Sequence, residues 1–331
     1  MLSEPFVSVV TPVYNGGAYL AECIESVLAQ TYSNWEYIIV NNCSTDDTLQ
    51  IARQYAERDG RVRVHDNDAF LDIISNHNRA FRCISKASKY CKVVSADDTV
   101  FPECLRRMVE LAEAHPSVGL VGSYQIAGEA DRWYLRTDGL SLHISVAPGR
   151  DIGRAHLQGK LHDVLGNPTS TLYRADLVRA RDSFYPNPTA EADTSACFEC
   201  LKVSDFGFVH QVLSYERVHV AQMTTTSRDR NAYLSAWLGD LITYGPFFLT
   251  HDELVTRQEE LLDEYYRFLA ISAVNKRGRK FWEYHRQRLS QVGLPLDPVR
   301  LSKAVIVKVL DLILNPKQTV EKAVKRIAPS S

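Results

Sequence analysis

The chain has 331 residues, with 38 Lys and Arg against 40 Asp and Glu, a formal charge of −2, and 45% of its residues are hydrophobic. That balance excludes a disordered or fibrous chain and a strongly basic nucleic-acid binder. The length fits one large domain with an appendage, or two domains.

Val7–Val10 is a continuous β-branched run, the pattern of a strand covered on both faces. It stops at Thr11-Pro12. After Asn15-Gly16-Gly17, the residues Leu20, Cys23, Ile24, Val27 and Leu28 mark one face of a helix. Tyr37–Val40 is a second buried strand. Behind it Ser44 is placed to cap the next helix, with Asp47 closing a capping box. Val62–Val64 is a third strand, followed by a loop and a helix around Asn78–Ser85. Lys92–Ser95 is a fourth strand, halted by Ala96-Asp97-Asp98, and Pro102 opens a helix with Leu105, Met108, Val109 and Ala112 inward. Val118–Val121 is a fifth. Strands alternating with helices through short connections predict right-handed βαβ units, an α/β fold whose parallel sheet is flanked by helices. From Gly122 to Tyr185, Gly, Pro and single aromatics predict mixed loops and short strands. Glu191–Lys202 then reads as a helix and Phe206–Val209 as a strand. Beyond Ala221 only helical patterns remain, Leu254–Tyr265 and Lys280–Leu289 among them. The expected division is a domain over 1–225 and a helical C-terminal region over 226–331.

In an open parallel sheet, ligands bind beyond the carboxyl ends of the strands. The residues there are Thr11, Pro12, Tyr14 and Asn15 after the first strand, Asn41 and Asn42 after the second, and Asp97 and Asp98 after the fourth. The first two groups offer amides, a hydroxyl and an aromatic face, which suit a heterocyclic base. Adjacent acids behind a buried strand are costly unless their repulsion is offset, and a divalent cation such as Mn2+ or Mg2+ offsets it. The competing reading is that Asp97 caps the next helix and Asp98 is solvated. Neither G-x-G-x-x-G nor G-x-x-x-x-G-K-[ST] occurs, so phosphate would be neutralised by a metal or by side chains.

Val7-Ser-Val-Val-Thr-Pro-Val-Tyr-Asn15, the helix ending Val27-Leu-Ala-Gln-Thr31, Ile39-Val-Asn-Asn-Cys-Ser-Thr-Asp46, and Ser95-Ala-Asp-Asp98 followed by Pro102 together resemble the nucleotide-binding half of family 2 glycosyltransferases. The resemblance runs from about Phe6 to His219. It implies a GT-A fold, a Rossmann-like, mostly parallel sheet, with 1–122 the nucleotide-sugar half and 123–225 the acceptor half. It also implies a nucleotide-sugar donor, a divalent metal and inversion at the anomeric carbon. By that resemblance Thr11, Tyr14 and Asn42 line the base, with Pro12 and Asn15 beside them. Asp97 faces the donor's ribose or sugar, and Asn78 lies on the helix beneath the donor site. Asp98 holds the metal, with His219 a candidate second ligand. The family's acid pair after the second strand is Asn41-Asn42 here, and the first acid of its D-x-D is Ser95, so the metal rests mainly on Asp98. Asp193, with Glu191 its neighbour, matches the carboxylate that takes the acceptor's proton; the alternative is a cap on a helix running from Thr194. Asn167, Thr169 and Ser170 align with the acceptor-side wall, or are ordinary turn residues.

The implied activity is transfer from a nucleoside diphosphate sugar, commonly uridine-linked, to a hydroxyl of a saccharide or lipid-linked saccharide. A nucleotidyltransferase would need a basic, glycine-rich loop, and Thr11–Gly17 has no Lys or Arg. A sugar-nucleotide-binding protein with a decayed catalytic centre is the non-enzymatic alternative. Seven scattered cysteines read as reduced thiols, Cys197 and Cys200 one helical turn apart. Met1–Phe6 is too short and polar for a signal peptide, and no apolar stretch reaches membrane-spanning length, so a soluble, cytoplasmic chain is expected. Residues 300–326 carry seven Lys and Arg against Asp311 and Glu321, around the apolar run Ala304–Leu314. That segment either lies in the interface of an anionic membrane, peripheral at the inner face, or packs on the catalytic domain or on a second copy of the chain in a homo-oligomer.

Overall fold

All seven residues of β1 (Val7–Val13) are buried, as an unbroken β-branched run at the centre of a two-faced sheet requires. In the computed structural model, which describes residues 4–129, 132–137, 139–161, 163–186, 189, 191–219 and 231–314, β1 pairs in parallel with β2 (Trp35–Asn41) and with β4 (Tyr90–Val93). β2 pairs in parallel with β3 (Val62–Asp66). Beyond β4 the pattern changes. β9 (Thr171–Arg174) runs antiparallel between β4 and β6 (Val118–Glu129), and β10 (Asp205–Arg217) lies parallel beside β6. The two-residue β5 (Thr99–Val100) closes that edge, giving the order β3-β2-β1-β4-β9-β6-β10-β5. β7 (Arg132–Leu135) pairs with β6, and β8 (Val146–Ala147) with β10, both antiparallel. β1, β2, β3, β4, β6 and β10 thus share one direction. The sheet is mostly parallel and flanked by helices, as an α/β chain should be, but it is mixed rather than purely parallel. The antiparallel strand is four residues inside a stretch punctuated by Gly and Pro, where periodicity is too short to read.

The helices of the first half bury the faces their spacing predicts. α1 (Leu20–Leu28) buries Leu20, Cys23, Ile24 and Val27. α4 (Cys104–Ala114) buries Leu105, Met108, Val109 and Ala112. Between them lie α2 (Thr48–Arg58) and α3 (Ile73–Arg82), and further on α5 (Gly149–Leu157), α6 (Ala175–Arg179) and α7 (Ala192–Leu201). Three expectations are corrected. The Ser44–Asp47 capping box does not form: the Ser44 hydroxyl instead accepts from the Asn15 amide at 2.9 Å, and Asp46 rather than Asp47 accepts from the Thr48 amide at 3.1 Å. α3 begins at Ile73, five residues ahead of Asn78, because Asp72 caps it by accepting from the Ser75 amide at 3.0 Å. The strands read as Val118–Val121 and Phe206–Val209 extend to Glu129 and Arg217. Cys197 and Cys200 sit buried and unpaired in α7.

The chain divides into two compact units, Met1–Thr225 and Thr226–Ser331. The second is helical: α8 (Ala232–Phe248), α9 (His251–Val274), α10 (Arg279–Gln291) and α11 (Pro298–Leu314). α9 opens on a capping box between Thr250 and Glu253, and the buried Tyr265 hydroxyl meets His285 Nδ1 at 2.6 Å. α11 packs along α9, with Arg300 bridging to Glu259 and Asp263. Residues 315–326 of the basic C-terminal stretch lie outside the described residues. Among the described residues no helix is long and apolar enough to cross a membrane.

Candidate active site

The loops at the carboxyl ends of β1 and β2 are laced together. The Asn15 side chain accepts from the Thr45 amide at 2.8 Å, the Gly16 amide donates to Thr48 at 2.8 Å, and the Gly17 amide donates to Asp46 at 2.9 Å. Asn15 itself takes a left-handed φ of 51°, which asparagine tolerates. The amide of Asn42 is held both ways by one residue: it donates to the Leu71 carbonyl at 2.8 Å and accepts from the Leu71 amide at 2.9 Å. Asn67 adds a third contact at 3.0 Å. Those bonds fix the loop carrying Phe70, whose ring meets Tyr14 edge-on with centroids 4.9 Å apart. Tyr14 and Phe70 are both exposed, so the end of the sheet presents a fixed aromatic pair with free faces. Phe70 was not anticipated: the sequence around it has no strand or helix signal to place it opposite Tyr14.

Thr11 is fully buried. Its hydroxyl meets the Tyr37 hydroxyl at 2.8 Å and the Val94 carbonyl at 2.7 Å, which ties β1 to its neighbours, and Pro12 is buried beside it. Asn78 likewise spends its amide on the chain, donating to the Tyr185 carbonyl at 3.0 Å and accepting from the Tyr185 amide at 2.8 Å.

The acid pair behind β4 splits into two environments. Asp97 is half-open and meets His219 Nε2 at 3.0 Å. Asp98 is buried, accepts from the Thr169 hydroxyl at 2.6 Å and from the Arg217 amide at 3.2 Å. Burial first, then the nearby Asp97 and Glu216, push its carboxyl well above the usual range. The structure therefore sets His219 against Asp97, and gives Asp98 a hydroxyl and an amide. The end of β10 closes this side. The Arg217 guanidinium donates to the Asp97 carbonyl at 3.3 Å, pairs with Glu22, and lies 4.8 Å from the Tyr19 ring centre. Underneath, fully buried Lys92 donates to the Thr171 carbonyl at 3.1 Å and also to the Thr169 carbonyl, and burial lowers its pKa. Lys92 thereby fixes the backbone on either side of Ser170.

Asp193 lies in the first turn of α7, two residues past Glu191, so it does not cap a helix beginning at Thr194. Its carboxylate accepts from the Thr194 amide at 2.7 Å. Burial raises it to about 7, against the pull of that amide and of the Arg136 charge. Arg136 pairs with Glu216, and Glu216 in turn accepts from Asn167 at 3.4 Å. One electrostatic chain therefore runs from Asp98 through Glu216 and Arg136 to Asp193. Arg136 and Glu216 carry no sequence signal, because each acquires its meaning only when β10 and the segment after β7 meet.

Among the described residues no cluster of three or more His, Cys, Asp or Glu forms a ready metal cage. The chemistry nevertheless fits a hard divalent cation. Mg2+ or Mn2+ is commonly held by one or two carboxylates with substrate phosphates and water, and here Asp97, in contact with His219, sits next in sequence to Asp98, whose carboxyl burial and the Asp97 charge push up.

The comparisons with known proteins agree with this architecture. Among solved structures, Staphylococcus aureus TarS 1-349 in complex with UDP-GlcNAc superposes with a TM-score of 0.62 at 16% identity, over 87% of this chain and 80% of that one. The mannosyltransferase PcManGT of Pyrobaculum calidifontis, in complex with GDP-Man and Mn2+, gives a TM-score of 0.53 at 15% identity, over 94% and 88%. At those identities the likeness is one of fold. The putative glycosyltransferase EpsE of Bacillus subtilis is 38% identical over 125 residues, 37% of this chain and 44% of EpsE, so the match spans less than half of that relative. An uncharacterized glycosyltransferase of Rickettsia prowazekii is 27% identical over 72% of both chains. The glycosyl transferase family 2 model matches residues 8–179, which include all of β1 but its first residue, the linked loops, Asp97, Asp98 and Thr169. That match covers just over half of the 331 residues, and the chain belongs to glycosyl transferase family 2.

Proposed function

We propose that this protein is a metal-dependent, inverting glycosyltransferase. It moves a sugar from a nucleoside diphosphate sugar, uridine-linked, to a hydroxyl of a saccharide or lipid-linked saccharide in cell-surface polysaccharide synthesis, on the cytoplasmic side. What supports the reading is the acid pair Asp97-Asp98 behind β4, with His219 against Asp97 at 3.0 Å, together with the buried Asp193 whose carboxyl is raised to about 7. TarS with UDP-GlcNAc and PcManGT with GDP-Man and Mn2+ support the donor class.

Each residue then has a task. Tyr14 and Phe70, packed edge to face, offer the base an exposed aromatic face to stack on, while Asn42 and Asn15 keep the loops that carry them in place. Asp97, Asp98 and His219 would hold the divalent cation, with Asp97 also within the donor's reach. Bound there, such a cation supplies Lewis-acid stabilisation of the departing diphosphate. Asp193 takes the proton of the acceptor hydroxyl as that oxygen attacks the anomeric carbon from the face opposite the diphosphate, the direction that inverts configuration. A base near 7 is half-ionised at neutral pH and still strong enough to accept a proton in the transition state. Asn167, Thr169 and Ser170 are buried and bonded within the chain, so they shape the site from behind: Thr169 orients Asp98 and Asn167 holds Glu216.

Thermal stability measured against a panel of nucleoside diphosphates, with and without Mn2+, tests the donor half of the reading. Ligand at about 100 times its dissociation constant adds roughly 2.7 kcal/mol. Stabilisation by uridine diphosphate that requires Mn2+ and disappears in Asp98→Asn is the expected result. The same response without metal, or in Asp98→Asn, would remove the cation from this site.

A further inference from the structure

α11 is apolar around most of its circumference, and the second unit covers only part of it. Leu301, Ala304, Val305 and Leu312 are half-buried along the side packed toward α9. Val299, Ile306, Val307, Val309, Leu310, Ile313 and Leu314 are between 40% and 74% exposed, and no residue of the helix is fully buried. At about 100° per residue, these seven aliphatic residues with Ser302 and Lys303 fill an arc of roughly 160°. That arc contains no acid.

The charges around it are arranged unevenly. Arg300, Lys308 and Asp311 lie off the apolar arc and are already neutralised, Arg300 by Glu259 and Asp263, and Lys308 by Asp311 at 2.8 Å. Lys303, inside the arc, has no ion pair among the described residues. The sequence that follows adds Lys317, Lys322, Lys325 and Arg326 against Glu321 alone. An aliphatic face with an unpaired cation, continued by a basic segment, is complementary to lipid phosphates over acyl chains.

We propose that the exposed face of α11 docks on an anionic membrane surface, lying in its plane. The aliphatic residues would reach the acyl boundary while Lys303 meets headgroup phosphates. Seventeen residues of helix are about 25 Å long, enough for a footprint in the interface. A second copy of the chain is the less complementary occupant. A two-fold contact sets each face against its own copy, so Lys303 would be desolvated opposite a face without a carboxylate. The proposal goes beyond sugar transfer and stands apart from the reading of the cleft.

The test is co-sedimentation of the full chain with vesicles of phosphatidylcholine alone, and with about a third phosphatidylglycerol. Binding to the anionic vesicles at least tenfold tighter than to the neutral ones, weakened by salt, is expected. The double variant Ile306→Asp with Leu310→Asp should lose that binding while keeping its melting temperature, because both positions are exposed. Lys303→Glu should weaken it by a smaller factor. Equal binding to both vesicles, no binding to either, or unchanged binding by the double variant would overturn the proposal. So would a wild-type dimer in light scattering that ignores vesicles and becomes a monomer in the double variant, which would assign the face to a second copy.

Discussion

Asp193→Asn should separate stability from turnover in a single substitution. The carboxyl ordinarily titrates at 3.8, and burial in the first turn of α7 raises it to about 7. Between those values the unfolded chain is ionised while the folded chain keeps the proton. The folded state is therefore favoured at low pH, and its stability falls as pH climbs from about 4 to about 7, then levels off. At 1.36 kcal/mol per pH unit, the full loss is about 4 kcal/mol. Asp193 is partly open to solvent, which screens some of that cost, so about 1 to 3 kcal/mol is the expected size. Asparagine keeps an oxygen for the Thr194 amide, which donates to Asp193 at 2.7 Å, and carries no charge to bury. The variant should match the wild type in melting temperature near pH 4 and exceed it at pH 8, by roughly 2–4 °C per kcal/mol for a unit of this size. Its turnover should fall by about 10²–10⁴, the range for a lost general base. Melting curves from pH 4 to 8, paired with release of nucleoside diphosphate, read both effects. A melting difference that does not change with pH would show that burial does not hold the carboxyl up. Wild-type turnover in Asp193→Asn would remove it as the base.

Three further perturbations address the surrounding residues. Arg136→Met takes away the charge that holds Asp193 down, so the acid limb of the pH–rate profile should move to higher pH; it also strands Glu216, at an expected cost of about 1–3 kcal/mol in chemical denaturation. An acid limb that stays in place would place Arg136 outside the field of the base. Tyr14→Ala with Phe70→Ala should raise the KM for donor about 10- to 100-fold with little change in kcat, since aromatic stacking on a base is worth about 1–3 kcal/mol per residue; a fall in kcat at constant KM would contradict a base slot there. Asn78→Ala leaves both backbone groups of Tyr185 unpaired, so melting should drop by the equivalent of about 1–3 kcal/mol while the donor KM holds. A raised donor KM with unchanged melting would instead put Asn78 on the donor.

What could be read from residues alone follows from the range over which each signal acts. The β1 run and the α1 face depend on periodicity within about ten residues, and both are found where the pattern puts them. The alternation of strand and helix names the fold class for the same reason. The inserted β9, by contrast, is four residues whose place between β4 and β6 is decided by partners roughly 50 to 80 positions away. The Ser44–Asp47 box failed because a better partner existed across the sheet: the amides of Asn15 and Gly17 claim Ser44 and Asp46, and no local motif reports that competition. Site residues divide in the same way. Asp97 and Asp98 were legible because two acids directly behind a buried strand are anomalous on their own terms. Phe70, Arg136 and Glu216 are ordinary residues in their own windows, and only the folded sheet edge places them beside Tyr14, Asp193 and Asp98.

The positions that break folding rules also cluster at that edge. Asp98 is buried with its carboxyl pushed up, Lys92 is buried with its ammonium pushed down, and Asp193 is held near neutrality. Each is a charge the hydrophobic sheet would be more stable without. Lys92 is answered inside the fold, by the carbonyls of Thr169 and Thr171, so it serves the wall that carries Thr169. Asp98 accepts from a hydroxyl and one amide among the described residues, and its carboxyl is still pushed well above the usual range. A group left under-compensated on one side of a cleft is stabilised most by whatever brings the missing charge, and a donor arriving with a divalent cation does so. Asp193 differs: the Thr194 amide and the Arg136 charge relieve it only in part, and a carboxylate stabilised further would be a weaker base in the proposed reaction. On the proposed reading, then, the edge holds one buried carboxyl that an arriving donor with its cation would relieve and another that is left partly uncompensated so that it can accept a proton.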